Sequence, residues 1–143
     1  MKRCMLITLA ACLSVAADSP KDDGDKLQGL WAVVSRESSG QKNLVTTGMK
    51  VRFAGDKVIG EQMGRTFPLG TFKLDPAARP KAYDRIPEDP DATGTTVRYQ
   101  GIYVLHGDDL RICVGRNERP TGFATKPGDG RSRMTYKREK PLP

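Results

Sequence analysis

Met49-Lys50-Val51-Arg52-Phe53-Ala54-Gly55-Asp56-Lys57-Val58-Ile59-Gly60-Glu61-Gln62-Met63 is the stretch that decides the fold class. Met49, Val51 and Phe53 alternate with Lys50 and Arg52, the period of a strand with one buried face. Gly55-Asp56 has the chemistry of a tight hairpin turn, and Lys57–Met63 returns as the partner strand. Outward from this hairpin the chain repeats the same grammar. Short runs of β-formers are cut by turn signals every 8 to 12 residues, and no segment sustains a 3.6-residue apolar period. Eight strands are predicted: Leu30–Ser38, Met49–Ala54, Lys57–Met63, Thr66–Leu74 (irregular at Pro68), Lys81–Ile86, Thr95–Leu105, Leu110–Val114 and Arg131–Arg138. Eight consecutive antiparallel strands joined by short turns close most simply into a single barrel, because closure leaves no exposed edge.

Composition agrees. With 15 Gly and 10 Pro in 143 residues, the chain is rich in turns for its length, and its mean hydropathy is −0.53. A single histidine, His106, excludes two-histidine zinc sites and HExxH chemistry, and neither a Walker A sequence nor a strand followed by GxGxxG occurs.

The first residues read as an address. Lys2 and Arg3 precede an apolar run from Met5 to Val15, and Val15-Ala16-Ala17 offers small residues for a signal peptidase. Residues 1–17 are therefore expected to be a cleaved secretory signal, too short to span a bilayer, which makes the location extracytoplasmic, periplasmic or secreted. Leu9-Ala10-Ala11-Cys12 is a competing lipoprotein site that would leave a lipid anchor on Cys12. Cleavage after Ala17 removes Lys2 and Arg3, so Lys and Arg fall from 24 to 22 against 17 acidic residues, a mature charge of +5. It also removes Cys4 and Cys12, leaving Cys113 without an intramolecular partner. Residues 18–26 are expected to form a flexible lead-in and residues 27–140 the barrel domain.

Gly29-Leu30-Trp31 at the start of the first strand is the G-x-W pattern that opens the first strand of lipocalins. There the indole plugs one end of the barrel beneath an arginine of the last strand. Arg131, Arg133 and Arg138 are the candidates for that partner, and Arg133 is the structural residue named beside Trp31. More of the chain resembles a planctomycete-expanded family of small extracytoplasmic proteins of unknown function with a lipocalin-like barrel. The matching segments include Lys26-Leu27-Gln28-Gly29-Leu30-Trp31, Phe53-Ala54-Gly55-Asp56-Lys57-Val58, Gly70-Thr71-Phe72-Lys73-Leu74-Asp75-Pro76, Gly107-Asp108-Asp109-Leu110-Arg111-Ile112-Cys113 and Arg119-Pro120-Thr121-Gly122-Phe123. The resemblance covers nearly all of the mature chain and departs from the family at Gly122, where a carboxylate is expected. It implies fold and export, and no catalytic residues.

Several constellations can be weighed. Pairing the hairpin at Gly107-Asp108 sets Leu105 opposite Leu110, Tyr103 opposite Ile112 and Cys113 opposite Ile102. His106 and Cys113 then lie about 13 Å apart at ~3.3 Å per residue, too far for a thiol–imidazole dyad. Asp89-Pro90-Asp91-Ala92-Thr93-Gly94 matches half of a calcium loop, but its twelfth position is Gln100 and no helices flank it, so no metal and no cofactor are expected. Lys126, Arg131, Arg133, Lys137, Arg138 and Lys140 form a basic C-terminal region with few aromatic rings, which argues against a nucleic-acid surface. Phe53, Tyr83, Tyr103 and Phe123 are the candidate ligand-binding residues, either lining a pocket in the barrel or filling it. The unstructured run Gly115–Gly130 is either a fixed excursion with Phe123 tucked onto the barrel or a capping lid. The function expected is non-enzymatic binding, by a monomer, of a small apolar ligand or an extracytoplasmic partner. The alternatives are a secreted enzyme using carboxylates such as Asp84, Asp108 or Asp109, and a basic polyanion- or envelope-binding module.

Overall fold

The computed structural model describes residues 22–43 and 48–140; the predicted signal, with Cys4 and Cys12, lies outside the described residues. Within them the chain forms a five-residue helix, α1 (Asp23–Leu27), and nine strands: β1 (Gly29–Ser38), β2 (Gln41–Lys42), β3 (Lys50–Ala54), β4 (Lys57–Gln62), β5 (Arg65–Asp75), β6 (Ala82–Ile86), β7 (Tyr99–His106), β8 (Asp109–Arg116) and β9 (Arg131–Arg138). Strands β1 and β3 to β9 pair antiparallel with their neighbours. The pairing of β1 with β9 closes them into an eight-stranded lipocalin-like barrel, on which β2 is a short flap against the end of β1.

The register follows the residue pattern. Phe53 pairs with Val58 across the Gly55-Asp56 turn, and Leu105 pairs with Leu110, Tyr103 with Ile112 and Ile102 with Cys113 across Gly107-Asp108. Two bulges bend the wall, at Val33/Ser35 in β1 and opposite Val58/Ile59 in β5. The second sits beside Pro68, whose missing N–H cannot extend the ladder. Gly70 follows at φ 117°, where an added Cβ would fall 1.9 Å from the Ile86 carbonyl oxygen. Only glycine lets β5 pass β6 there.

Three expectations shift. The end of the lead-in forms a short helix, α1. The Asp22 carboxylate caps α1 by accepting from the Asp25 N–H at 2.8 Å, and Leu27 at its end is 1% exposed. The strand expected from Thr95 starts at Tyr99, because Asp91 holds Thr95 in a loop through both its backbone N–H and its carboxylate. The run after β8 is a strap rather than a lid. Arg119 donates to the Gly101 carbonyl at 2.6 Å and faces Asp84, Arg133 donates to the Phe123 carbonyl, and Thr125 donates to Glu37 at 2.5 Å. These ties carry residues 117–130 across the outside of β6 to β9 and β1. Beneath that strap the outward-facing Ile102 and Cys113 are 0% exposed, a second small apolar layer outside the barrel.

Candidate functional site

Inward side chains divide the barrel into two halves. The half beneath α1 is a plug. Trp31 is 0% exposed, and its indole N–H donates to the Leu27 carbonyl at 2.8 Å. The Arg138 guanidinium stacks on the Trp31 ring with its carbon 4.2 Å from the centroid. It donates to the Gln28 carbonyl at 3.0 Å and also to the Lys26 carbonyl. The partner of Trp31 is thus Arg138, not Arg133. Register places Arg138 opposite Trp31, whereas Arg133 lies opposite Glu37 on the outer face and pairs with it at 2.7 Å.

Tyr103 belongs to the plug as well, rather than to the cavity in the other half. Its ring is buried and its hydroxyl donates to Asp23 of α1 at 2.7 Å, while Lys81 sits 2.8 Å from the same carboxylate oxygen. Burial and the adjacent Asp23 charge push the Tyr103 hydroxyl above its ordinary value. Burial alone would raise Asp23, but the hydrogen bonds from Lys81 and Tyr103 outweigh it and hold the carboxyl below its usual range.

The other half holds a cavity of about 170 Å³. Val51 and Phe53 of β3, Val58 of β4, Leu69 at the β5 bulge, Ile112 and Val114 of β8 and Met134 of β9 give it apolar walls. Phe72 meets Phe53 edge-on at 5.1 Å and stacks with Tyr83 at 6.1 Å, fixing both rings. Tyr83 and Tyr136 face the space, and burial pushes the Tyr136 hydroxyl up to about 12 against the opposing charges of Arg85 and Arg36. Of the four candidate residues, Phe53 and Tyr83 line this cavity and Tyr103 and Phe123 do not. Phe123 sits on the strap outside, under the Arg111 guanidinium at 5.7 Å, because Arg119 and Arg133 pin its loop to the outer face.

Sequence reasoning missed Arg36 and Arg85, which line the cavity from β1 and β6. The signal was present for Arg85: it follows inward Tyr83 by two residues, so alternation alone turns it inward. It was hidden for Arg36, because the bulge at Val33/Ser35 shifts the alternation of β1. Arg85 stacks on the Tyr99 ring at 5.0 Å. The Arg36 Nε is buried and has no hydrogen-bond partner among the described residues.

The carboxylates offered for catalysis are all engaged. Asp84 faces Arg119 at 2.8 Å, Asp108 faces Arg138 and Lys140, and Asp109 faces Lys137 at 2.8 Å. The Lys137 hydrogen bond lowers Asp109, the opposite of what a general acid needs. In the Asp89–Gly94 loop, one Asp91 oxygen accepts from Thr93 and Thr95 and the other from Arg116 at 2.8 Å. Burial pushes the Cys113 thiol up under the strap. The basic C-terminal region is interleaved with acid: Arg133, Lys137, Arg138 and Lys140 each face a carboxylate. Among the described residues no helix is long and apolar enough to cross a membrane. Compared with known proteins, the chain matches no family model, no curated protein and no solved structure.

Proposed function

We propose that the protein is a non-enzymatic binder that takes one small, largely apolar ligand into its barrel, and that it works outside the cytoplasm after loss of residues 1–17. The observation that carries this reading is the cavity of about 170 Å³, walled by apolar side chains and kept out of the plug. An apolar cavity of about 150 Å³ is enough to hold benzene, so the space suits one ring or a short branched chain. The ion pairing of Asp84, Asp108 and Asp109 supports binding over acid–base catalysis. The mixed charge of the C-terminal region supports it over a polyanion surface.

Toluene tests the cavity without involving charge. Its titration should shift the methyl signals of Met49 and Met134 saturably, and Leu69→Trp, which fills the space, should abolish the shift while the protein still melts cooperatively. No saturable shift in the wild type would mean that the barrel is packed solid and would move function to the outer strap. The export half is tested by the mass of protein recovered outside the cytoplasm. It should begin at Asp18; an acylated Cys12 would show a lipid anchor instead.

A further inference from the structure

The cavity is not electrically neutral. Arg36 and Arg85 both line it, and among the described residues no carboxylate does. The acidic residues that could reach them are turned outward: Asp84, next to Arg85, faces Arg119, and Glu37, next to Arg36, faces Arg133 and Thr125. Neither Arg36 nor Arg85 has an ion-pair partner among the described residues. The Arg36 Nε is buried with its N–H unanswered, and Arg85 is held by the face of the Tyr99 ring, which leaves its N–H edges free. Tyr136 lines the same cavity and feels both charges, and its hydroxyl has among the described residues only the Met134 sulfur, a weak acceptor, at 3.2 Å. The polar side of the cavity is therefore a set of donors in want of an acceptor. A carboxylate is the small group that fits it, since it accepts from two guanidinium edges and a hydroxyl at once.

We propose that the ligand is a small monocarboxylate whose head is held by Arg36, Arg85 and Tyr136, with a compact aryl or branched aliphatic body against Phe53, Val58 and Leu69. This rests on the reading that the cavity binds a ligand at all, and it adds the chemical class. Size sets the best fit: roughly a benzene ring plus its acid group fills the space.

Phenylacetate, its neutral amide and phenethylamine form a matched series for calorimetric titration, with toluene binding as the control for the cavity. Phenylacetate should bind at least tenfold more tightly than the amide, and the amine should not bind. Arg36→Met and Arg85→Met should each weaken phenylacetate at least tenfold and leave toluene unchanged. Equal affinity for acid and amide, or an acid preference that survives both substitutions, would overturn the carboxylate assignment while the pocket stands. Failure of toluene together with the whole series would overturn the pocket itself. Should an arginine variant fail to fold, the acid-to-amide ratio in the wild type decides alone.

Discussion

Both ends of the barrel place an arginine over an aromatic ring, and the two pairs serve opposite ends. Arg138 lies over Trp31 and donates to the carbonyls of Gln28 and Lys26, so the cation is locked into the backbone around it. Arg85 lies over Tyr99, and among the described residues no carbonyl or carboxylate holds it. The first arrangement is a finished structure. The second carries an unmet demand for an acceptor, joined by the buried Nε of Arg36. An unsatisfied buried donor costs about 1–3 kcal/mol. The plug therefore satisfies its buried cation, while the far half leaves a buried donor unsatisfied.

Substitutions separate the two ends of the barrel. Trp31→Ala should have the largest effect, a loss of about 3–5 kcal/mol in denaturant melts, the range for removing a large core aromatic. A loss below about 1 kcal/mol would mean that the plug does not hold the fold. Arg138→Met should cost about 1–3 kcal/mol, because two carbonyls lose a charged donor. Arg36→Met should be neutral or stabilising by about 1 kcal/mol, because a buried N–H without a partner is removed. If the two arginine variants lost equal stability, the division between the ends would fail.

Tyr103→Phe tests the plug side and should show the smallest loss, about 1 kcal/mol at neutral pH for one charge-assisted hydrogen bond. Its sign with pH is fixed. Asp23 has its carboxyl lowered on folding, so its contribution is present above the unfolded value near 3.8 and fades as pH falls through the folded value. The stability gap between wild type and Tyr103→Phe should therefore hold from neutrality down to about pH 4 and close below it. A gap that widened in acid would show that the Asp23 carboxylate is not the acceptor.

The barrel was legible in the sequence because its cues are local. Alternation in Met49–Phe53 and the Gly55-Asp56 and Gly107-Asp108 turns fix the register of both hairpins residue by residue. The inward facing of Phe53 and Tyr83 follows from the same alternation. What failed depends on contacts far apart in the chain. Tyr103 alternates inward as expected, but α1 reaches it from 80 residues away and makes it part of the plug. Phe123 has no periodic neighbours to orient it, so only the ties of Arg119 and Arg133 decide its side. Arg36 was missed because one extra residue in β1 reverses the facing of everything after it, and no turn residue marks that bulge.

Closure of the barrel has a consequence for how fast it can form. The hairpins from β3 to β4 and from β7 to β8 involve near neighbours and can assemble within microseconds. The plug cannot, because Arg138 bonds to Gln28 across 110 residues, and the β1–β9 seam joins the first and last strands. That loop-closure entropy must be met before any contact at the seam contributes. A chain emerging from its N-terminus would therefore hold β1 unpaired on one edge until β9 appeared, with Trp31 open to solvent throughout. Folding should run on the millisecond-to-second scale of long-range β topologies, and Trp31 fluorescence should report the final closing event rather than the early hairpins.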